Sequence, residues 1–269
     1  MNRSVLAVTV RTIMTIAVLF PLLWMVILSV TPRQYAFKTF IPPSLTLSYY
    51  ASSLTDVNIL MSYRNSWIIA TGVVILTLAL GAPAAYALSR YKFKLRNHVT
   101  VLMVITQMLP VTLMATAYFR LIPSLGLYNS VFALILVDGI DALPFSVLLL
   151  KATFDTIPRE LEEVAMLDGC SPGRTFVRII LPLAGPGIFA AGFFAFEAAW
   201  IEFLYGLTLT SNSVARPLTV EIADRLGHYV INWGQMMAMS FGLCLPVFAV
   251  FLFFQNGLLR GFTAGALKE

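Results

Sequence analysis

The sequence has 269 residues, of which 59% are hydrophobic and only 12% are charged, and its mean hydropathy is +0.84. Soluble domains carry about 25% charged residues, so this chain has too little polar surface to cover a water-soluble core. The net charge of +5 comes from Lys and Arg in short clusters between apolar runs. This placement indicates a lipid partner and argues against nucleic acid. Cys170 and Cys244 form neither a disulfide framework nor a CxxC metal site.

Long apolar runs dominate the chain, and a helix needs about 20 apolar residues to cross the hydrocarbon. Six windows meet this requirement: Val5–Val30, Trp67–Leu88, Val99–Tyr118, Val131–Leu150, Ala184–Leu204 and Met236–Phe254. None shows the alternation of a membrane β-barrel strand. Because lipid cannot hydrogen-bond to the backbone, runs of this length are expected to be helical. The sequence therefore predicts an all-α polytopic membrane protein with six transmembrane helices.

The distribution of basic residues predicts the orientation. With the N-terminus inside, twelve of the 18 Lys and Arg residues fall on the cytoplasmic side, led by the cluster 90–96. Positive residues accumulate in cytoplasmic loops, so both termini are predicted to be cytoplasmic. The whole chain, 1–269, is predicted to be one transmembrane domain. It contains a periplasmic segment at about 31–65, a cytoplasmic loop at about 151–183 and a cytoplasmic tail at about 257–269.

The predicted cytoplasmic loop has the signals of two short helices. Residues 155–169 predict the first, with Thr156 as a possible N-cap and Pro158 in the first turn. Acidic residues at 160, 162 and 163 complement the positive end of its dipole. Leu161, Val164, Ala165 and Asp168 share one face, and Gly169 is a left-handed stop. Ser171 and Pro172 then restart a helix, so the loop predicts a helix–turn–helix outside the bilayer.

This loop also carries a spaced motif. Glu163-Val-Ala-Met-Leu-Asp-Gly169 is followed, after nine residues, by Ile179-Ile-Leu181-Pro182. The pattern resembles the cytoplasmic signature of binding-protein-dependent ABC importer permeases, which reads Glu-Ala-Ala, three residues, Gly, nine residues, Ile-x-Leu-Pro. Val164 departs from it, since the family has Ala there. Segments 84–93, 143–145 and 261–268 are similar to the carbohydrate branch, and in particular to the smaller maltose-type subunit.

The resemblance implies a type I importer fold in a bacterial cytoplasmic membrane, with no catalysis by this chain. It implies three kinds of protein partner: a second, different permease, two copies of a cytoplasmic ATP-binding subunit, and an extracytoplasmic solute-binding protein. ATP and Mg²⁺ would be used by the ATP-binding subunits, since this chain has no GxxxxGK[ST] phosphate loop. The motif residues would then form the ATPase-coupling site: Glu163, Val164, Ala165, Asp168, Gly169, Ile179, Leu181 and Pro182. Taken alone, Glu163 could equally be a solvated carboxylate at a helix start.

Ionisable and polar residues within the predicted spans mark a candidate translocation path, because such residues are costly in lipid. The candidates are Gln107, Asp138, Asp141, Glu197 and Trp200. Carboxylates and amides accept hydrogen bonds from sugar hydroxyls, and a tryptophan ring packs on the C–H face of a sugar. Trp200 could instead belong to the interfacial aromatic belt, and the two aspartates could bond to neighbouring helices or to the partner permease.

Three function classes remain open at this point. The first is an importer permease for a sugar or oligosaccharide, with a polyol or a glycerol-phosphate-type solute as the alternative. The second is a stand-alone secondary transporter, which would need repeat symmetry or a midplane ion site. The third is an intramembrane enzyme, but His98 and His228 lie outside the apolar spans and neither HExxH nor GxSxG occurs. The spans hold almost no Lys or Arg, which favours a neutral sugar.

Overall fold

A computed structural model describes the backbone of residues 3–227 and 231–266, and the side chains of 7–227 and 231–252. In these ranges every regular element is helical. The α-helices are α1 (Arg3–Ser29), α2 (Ser48–Thr55), α3 (Val57–Arg90), α4 (Arg96–Thr106), α5 (Val111–Ser124), α6 (Val131–Thr156), α7 (Glu160–Leu167), α8 (Pro172–Thr175), α9 (Leu181–Leu183), α10 (Gly185–Ile201), α11 (Leu204–Leu209), α12 (Leu218–Asp224) and α13 (Trp233–Ala266). Short 3₁₀ turns cover Arg33–Tyr35 and Arg225–Gly227, and a π-helical turn covers Phe176–Ile180.

Among the described residues, four helices are long and apolar enough to cross a membrane, namely α1, α3, α6 and α13. Two bent pairs raise the number to six if each pair counts as one span. The second predicted window starts too late, because α3 begins at Val57. The sixth ends too early, because α13 continues to Ala266 and includes most of the predicted tail. Tail residues 267–269 and His228 lie outside the described residues. The number of spans and the positions of the termini stay predictions.

The third predicted window is not one straight helix. It consists of α4 and α5, which meet at an angle of 96°. Pro110 has no N–H to continue the helix of the preceding residues and disfavours helical backbone at Leu109, so α5 starts afresh at Val111. In the same way, Pro172–Leu183 meets α10 at 79°, directly before Gly185 and Pro186. Prolines therefore bend two elements that the hydropathy presents as continuous.

The described chain forms two compact units, Met1–Met61 with Val220–Phe248 and Ser62–Thr219 with Ala249–Glu269. In the first unit, Tyr50 and Ser29 are joined through their hydroxyls at 2.7 Å. Arg225 donates to Asp56 at 2.9 Å and to Glu221 at 2.8 Å. Burial acts to raise the pKa of Asp56, but hydrogen bonds from Arg225 and the Asn58 N–H hold it below its ordinary value. The prediction of a single permease domain stays a prediction.

The second unit is built on the packing of α6 against α3 and α10. Small residues allow the close approach, as is usual for helices in membranes. A Cβ on Gly72 would lie 2.6 Å from Ile135, and a Cβ on Gly187 would overlap the whole side chain of Thr153. Below these contacts, Val147, Leu150 and Phe154 of α6 are fully buried with Ala85 and Ala191. Because α6 packs closely against α3 and α10, its rotation about its own axis is fixed, and with it the set of α6 side chains that face the candidate sites.

The Gly187–Thr153 contact gives a first test of the packing. We expect Gly187→Ala to lower the thermal stability of the detergent-solubilised protein, because overpacking of a tight contact costs about 1–3 kcal/mol. Gly173→Ala is the matched control, since a Cβ there meets nothing within 4 Å and alanine favours the helix. Thermal unfolding followed by circular dichroism measures both variants. Equal melting temperatures for the two would contradict the assigned α6–α10 contact.

Candidate functional site

The predicted coupling loop forms α7, which is shorter than the sequence indicated. The α6 helix runs through Thr156, so Thr156 is the last residue of that helix and not the N-cap of the next. Pro158 lies before α7, and Arg159 occupies the cap position without a side-chain hydrogen bond to the first turn of α7. Glu160, Glu162 and Glu163 occupy the first turn of α7. Their negative charges stabilise this end of the helix, where the backbone N–H groups are unpaired and the helix dipole is positive.

The end of α7 follows from Gly169, as the sequence predicts. Gly169 has φ +85, a left-handed conformation that glycine adopts without a Cβ penalty. The Gly169 N–H donates to the Met166 carbonyl at 3.0 Å, and the Cys170 N–H donates to the Ala165 carbonyl at 3.0 Å. This pair of bonds is a Schellman motif, which satisfies the last helical carbonyls and stops the helix sharply. The next helix starts after Ser171 with Pro172 in its first turn.

A buried ion pair joins α7 to the end of α3. Arg90 Nε donates to Glu162 Oε1 at 2.5 Å, and both side chains are only 8% exposed. The Tyr86 hydroxyl donates to Glu162 Oε2 at 2.6 Å, and Arg90 Nη2 donates to the Ile157 carbonyl at 3.0 Å. Both carboxylate oxygens of Glu162 are therefore occupied. The loop helix is attached to the transmembrane helix α3 through these charges.

Further hydrogen bonds attach the same corner of the loop. Arg159 Nη2 donates to the Ser89 carbonyl at 3.1 Å, and the Ser89 hydroxyl donates to Asp155 at 2.6 Å. Lys151 reaches the other oxygen of Asp155 at 2.6 Å, one turn back along α6. Below them, Tyr86 packs against Phe154 and Phe176, with ring centroids 5.9 Å and 4.7 Å away. Charged and aromatic contacts thus hold the loop against the ends of α3 and α6.

The motif residues divide into an exposed and a buried set. Glu163, Val164, Asp168 and Gly169 are exposed, whereas Ala165 is buried beside Glu162. Glu163 lies at the edge of a cavity of about 320 Å³ that Arg90, Arg159 and Met166 also line. The surface of α7 therefore presents the carboxylate of Glu163 together with exposed apolar side chains, including Leu167, which is 87% exposed. Val164, which replaces the family's alanine, is on this exposed side.

The second half of the motif lies in the packed base of the loop. Ile179 and Leu181 pack on the core of Leu150, Phe154 and Ile180. Pro182 is exposed and follows directly after the π-helical turn Phe176–Ile180. A proline ring would clash with the carbonyl four residues earlier in a regular helix, and the wider π turn lies where that clash would occur. Ile179 and Leu181 therefore hold this part of the loop on the core, whereas Glu163, at the other end of the motif, is exposed.

The sequence interpretation named Glu162 only as one of three acidic residues and did not single out Arg90, Tyr86 or Ser89. These partners lie 66 to 76 positions from their acceptors, so no local spacing connects them. The available signal was an arginine and a tyrosine at the end of the second apolar window, on one helix face at i, i+4.

This ion pair gives the second test. We expect Glu162→Gln to destabilise the protein, because breaking a buried pair leaves an uncompensated charge and costs about 3–5 kcal/mol. Lys151→Gln is the matched control, since the Lys151–Asp155 pair is 21% and 40% exposed and such pairs contribute about 0–1 kcal/mol. Thermal unfolding of the purified variants compares them. A Glu162→Gln protein as stable as Lys151→Gln would exclude a structural role for the pair.

The second candidate site is a cavity of about 280 Å³ within the second unit, close to the lower end of the range for ligand pockets. Four of the five predicted path residues line it: Gln107, Asp138, Asp141 and Glu197. Glu202, Ser146 and Tyr205 also line it, together with apolar residues of α6 and α10. The structure thus brings the carboxylates of two predicted spans to one place.

Asp141 is occupied by the protein itself. Its Oδ1 accepts from the Tyr118 hydroxyl at 3.0 Å, and its Oδ2 accepts from the Tyr205 hydroxyl. Its backbone carbonyl accepts from Gln107 Nε2 at 3.0 Å, and Gln107 lies at the bend after α4. Asp141 therefore links α5, α6 and α11, with both carboxylate oxygens occupied.

Glu202 is also occupied, because its carboxylate accepts from the backbone N–H groups of Tyr205 at 2.7 Å and Gly206 at 3.0 Å. These are the otherwise unpaired N–H groups at the start of α11. The two remaining carboxylates differ. Asp138 is 6% exposed and its Oδ1 has no hydrogen-bond partner among the described residues. Glu197 is half-buried, with no hydrogen bond to its carboxylate in the described part of the chain.

Trp200 does not line this cavity, so its assignment to the translocation path stays a prediction. It is 1% exposed and packs against Trp67, Phe196 and Tyr63, with ring centroids at 5.0, 5.3 and 5.9 Å. Trp200 follows Glu197 by three residues, which places the two side chains about 60° apart around α10, and the ring of Trp200 is taken up by Tyr63 and Trp67 of α3. Trp200 is part of an aromatic core between α3 and α10.

Neither site resembles a metal centre. In the described residues, no three His, Cys, Asp or Glu side chains are placed to share a metal ion. Cys170 and Cys244 are free cysteines. The chemistry that the cavity offers is hydrogen-bond acceptance by carboxylates, and the chemistry that α7 offers is an exposed acidic and apolar surface.

Comparison with known proteins identifies the family. Residues 77–263 match the family model described as binding-protein-dependent transport system inner membrane component. This chain belongs to that family. It is therefore a transport permease and a multi-pass protein of the cytoplasmic membrane, and the type I importer fold predicted from the sequence is confirmed.

Two relatives and one solved structure illustrate the similarity of this permease. It is 34% identical to the trehalose/maltose transport system permease protein MalG of Thermococcus litoralis, over 99% of this chain and 97% of the relative. It is also 34% identical to the sulfoquinovosyl glycerol transport system permease protein SmoH of Agrobacterium fabrum, over 93% and 89%. Its fold matches a chain of a bacterial ABC transporter involved in import of the acidic polysaccharide alginate, with TM-score 0.82, 19% identity and coverage of 95% and 98%.

Proposed function

We propose that this permease is one transmembrane subunit of an ATP-driven, binding-protein-dependent importer for a sugar or oligosaccharide. It moves solute by alternating access and leaves ATP hydrolysis to separate cytoplasmic subunits. The family membership and the named solutes of its relatives support this function. The single observation that carries the coupling role is α7, a short capped helix with an exposed surface and a buried attachment to α3.

The geometry of α7 suits a part that is pushed by another protein. Its end is fixed by the Schellman motif at Gly169, and its base is fixed by Arg90 and by the packing of Ile179 and Leu181. A force applied to the exposed side would reach α3 through the Glu162–Arg90 pair and α6 through the short connection at residues 157–159. A loosely held loop would absorb such a displacement, whereas a packed element transmits it.

The partner that meets α7 is, in our proposal, a cytoplasmic ATP-binding subunit present in two copies. The exposed Glu163 and the apolar Val164 and Leu167 form a small acidic and apolar surface. A basic residue of the ATP-binding subunit beside Glu163 would complete an ion pair at this surface. A second, different permease and a soluble solute-binding protein complete the assembly, and ATP and Mg²⁺ belong to the ATP-binding subunits.

The assembly is tested by co-expression with the genes that neighbour this one and purification from membranes. We expect a complex of two unlike permeases and two ATP-binding subunits. Its ATP hydrolysis is expected to rise when a sugar-loaded binding protein is added. A chain that purifies alone and transports without ATP would instead support the stand-alone secondary transporter.

The role of Glu163 is tested by charge reversal. We expect Glu163→Lys to abolish ATP-dependent uptake, a loss of at least about tenfold, because it opposes a basic partner residue where like charges cost several kcal/mol. Membrane insertion should be unchanged, since Glu163 is exposed and outside the buried pair. Glu160→Lys is the matched control on the same helix. Uptake into proteoliposomes is measured, and normal uptake by Glu163→Lys would reject this coupling contact.

A further inference from the structure

The cavity between α6 and α10 contains more open hydrogen-bonding capacity than the protein uses. The Oδ1 atom of Asp138 and the hydroxyl of Ser146 are both sealed from solvent and have no hydrogen-bond partner among the described residues. Both residues line the cavity. They lie eight positions apart on α6, which places them on one face two turns apart. Buried polar atoms are normally paired, so two orphans on one face indicate a missing partner.

The four carboxylates of the cavity differ in whether the protein already donates hydrogen bonds to them. Asp141 and Glu202 are saturated by tyrosine hydroxyls and backbone N–H groups, as described above. Asp138 and Glu197 have acceptor oxygens that the described chain does not use. An ionised carboxylate has no proton to donate, so it can act only as a hydrogen-bond acceptor. The missing partner must therefore carry several hydrogen-bond donors.

The lining also limits the charge of that partner. In the described part of the chain, the residues around the cavity include four carboxylates and neither lysine nor arginine. A solute carrying a carboxylate, sulfonate or phosphate would meet like charge here without a cation to pair with it, which disfavours its binding. Hydroxyl groups satisfy the acceptors without adding charge. Phe145 and Phe194 supply apolar surface for the carbon skeleton.

We propose that Asp138 and Glu197 are the solute-contacting acceptors of this permease, with Ser146 beside them, and that the site takes an uncharged polyhydroxylated solute. Asp141 acts differently, as a positioning residue that links Tyr118 and Tyr205. This inference rests on the proposed import function and adds the charge class of the solute. It also assigns different roles to Asp138 and Asp141, which the sequence presents as equivalent.

The test uses the whole complex in proteoliposomes, with the cognate binding protein at saturating concentration so that its own selection is the same for every variant. Uptake of radiolabelled maltose, trehalose and digalacturonate is measured together with ATP hydrolysis, which gives solute moved per ATP. We expect a neutral disaccharide to be taken up by the wild type. Uptake of digalacturonate as the preferred solute would overturn the charge assignment. If the wild type hydrolyses no ATP in response to loaded binding protein, the import function itself fails.

For the accepted solute, we expect Asp138→Asn and Glu197→Gln each to lower uptake per ATP about tenfold, as for loss of a hydrogen bond to a charged group. Stimulated ATP hydrolysis should stay within twofold of the wild type. Glu197→Asp, which keeps a carboxylate, should recover part of the uptake. Asp224→Asn and Ser124→Ala remove an exposed carboxylate and an exposed hydroxyl outside both the cavity and α7, and should change nothing. Unchanged uptake per ATP in both Asp138→Asn and Glu197→Gln would overturn the assignment.

Discussion

The buried pair between Arg90 and Glu162 is the interaction on which the functional part of the fold depends. Two ionised side chains out of water are stable only when their remaining hydrogen-bonding positions are filled. Here Tyr86 occupies the second oxygen of Glu162, and the Ile157 carbonyl accepts a further guanidinium N–H. The pair therefore fixes three separate pieces of chain at one point, namely the end of α3, the connection after α6, and α7.

The consequence is a loop helix with two distinct sides. One side of α7 is bound through Glu162 and Ala165, and the other presents Glu163, Val164 and Leu167. Adjacent glutamates in the sequence thus have opposite roles, because one helix position separates a buried carboxylate from an exposed one. In our proposal this division serves coupling, with a fixed base that moves the membrane helices and a free surface that meets an ATP-binding subunit.

The carboxylates of the cavity also divide into a structural pair and an open pair. Asp141 and Glu202 hold helices together, and Asp138 and Glu197 are left open. Relatives of this permease are named for solutes as different as trehalose/maltose and sulfoquinovosyl glycerol, so the fold does not define the solute. Function resides in the side chains placed on the fold, and here the lining residues indicate a neutral, hydroxyl-rich solute.

The sequence by itself determined the membrane class, the all-α fold, the family and the C-terminal end of α7. Hydropathy, the left-handed stop at Gly169 and the motif spacing are local properties, and each was readable without coordinates. The tertiary structure alone decided which residues share a site. It bent the third window at Pro110, moved Trp200 into an aromatic core, and joined Arg90 to Glu162. These outcomes depend on contacts between residues far apart in the chain, and no periodicity in the sequence records which distant partner each side chain meets.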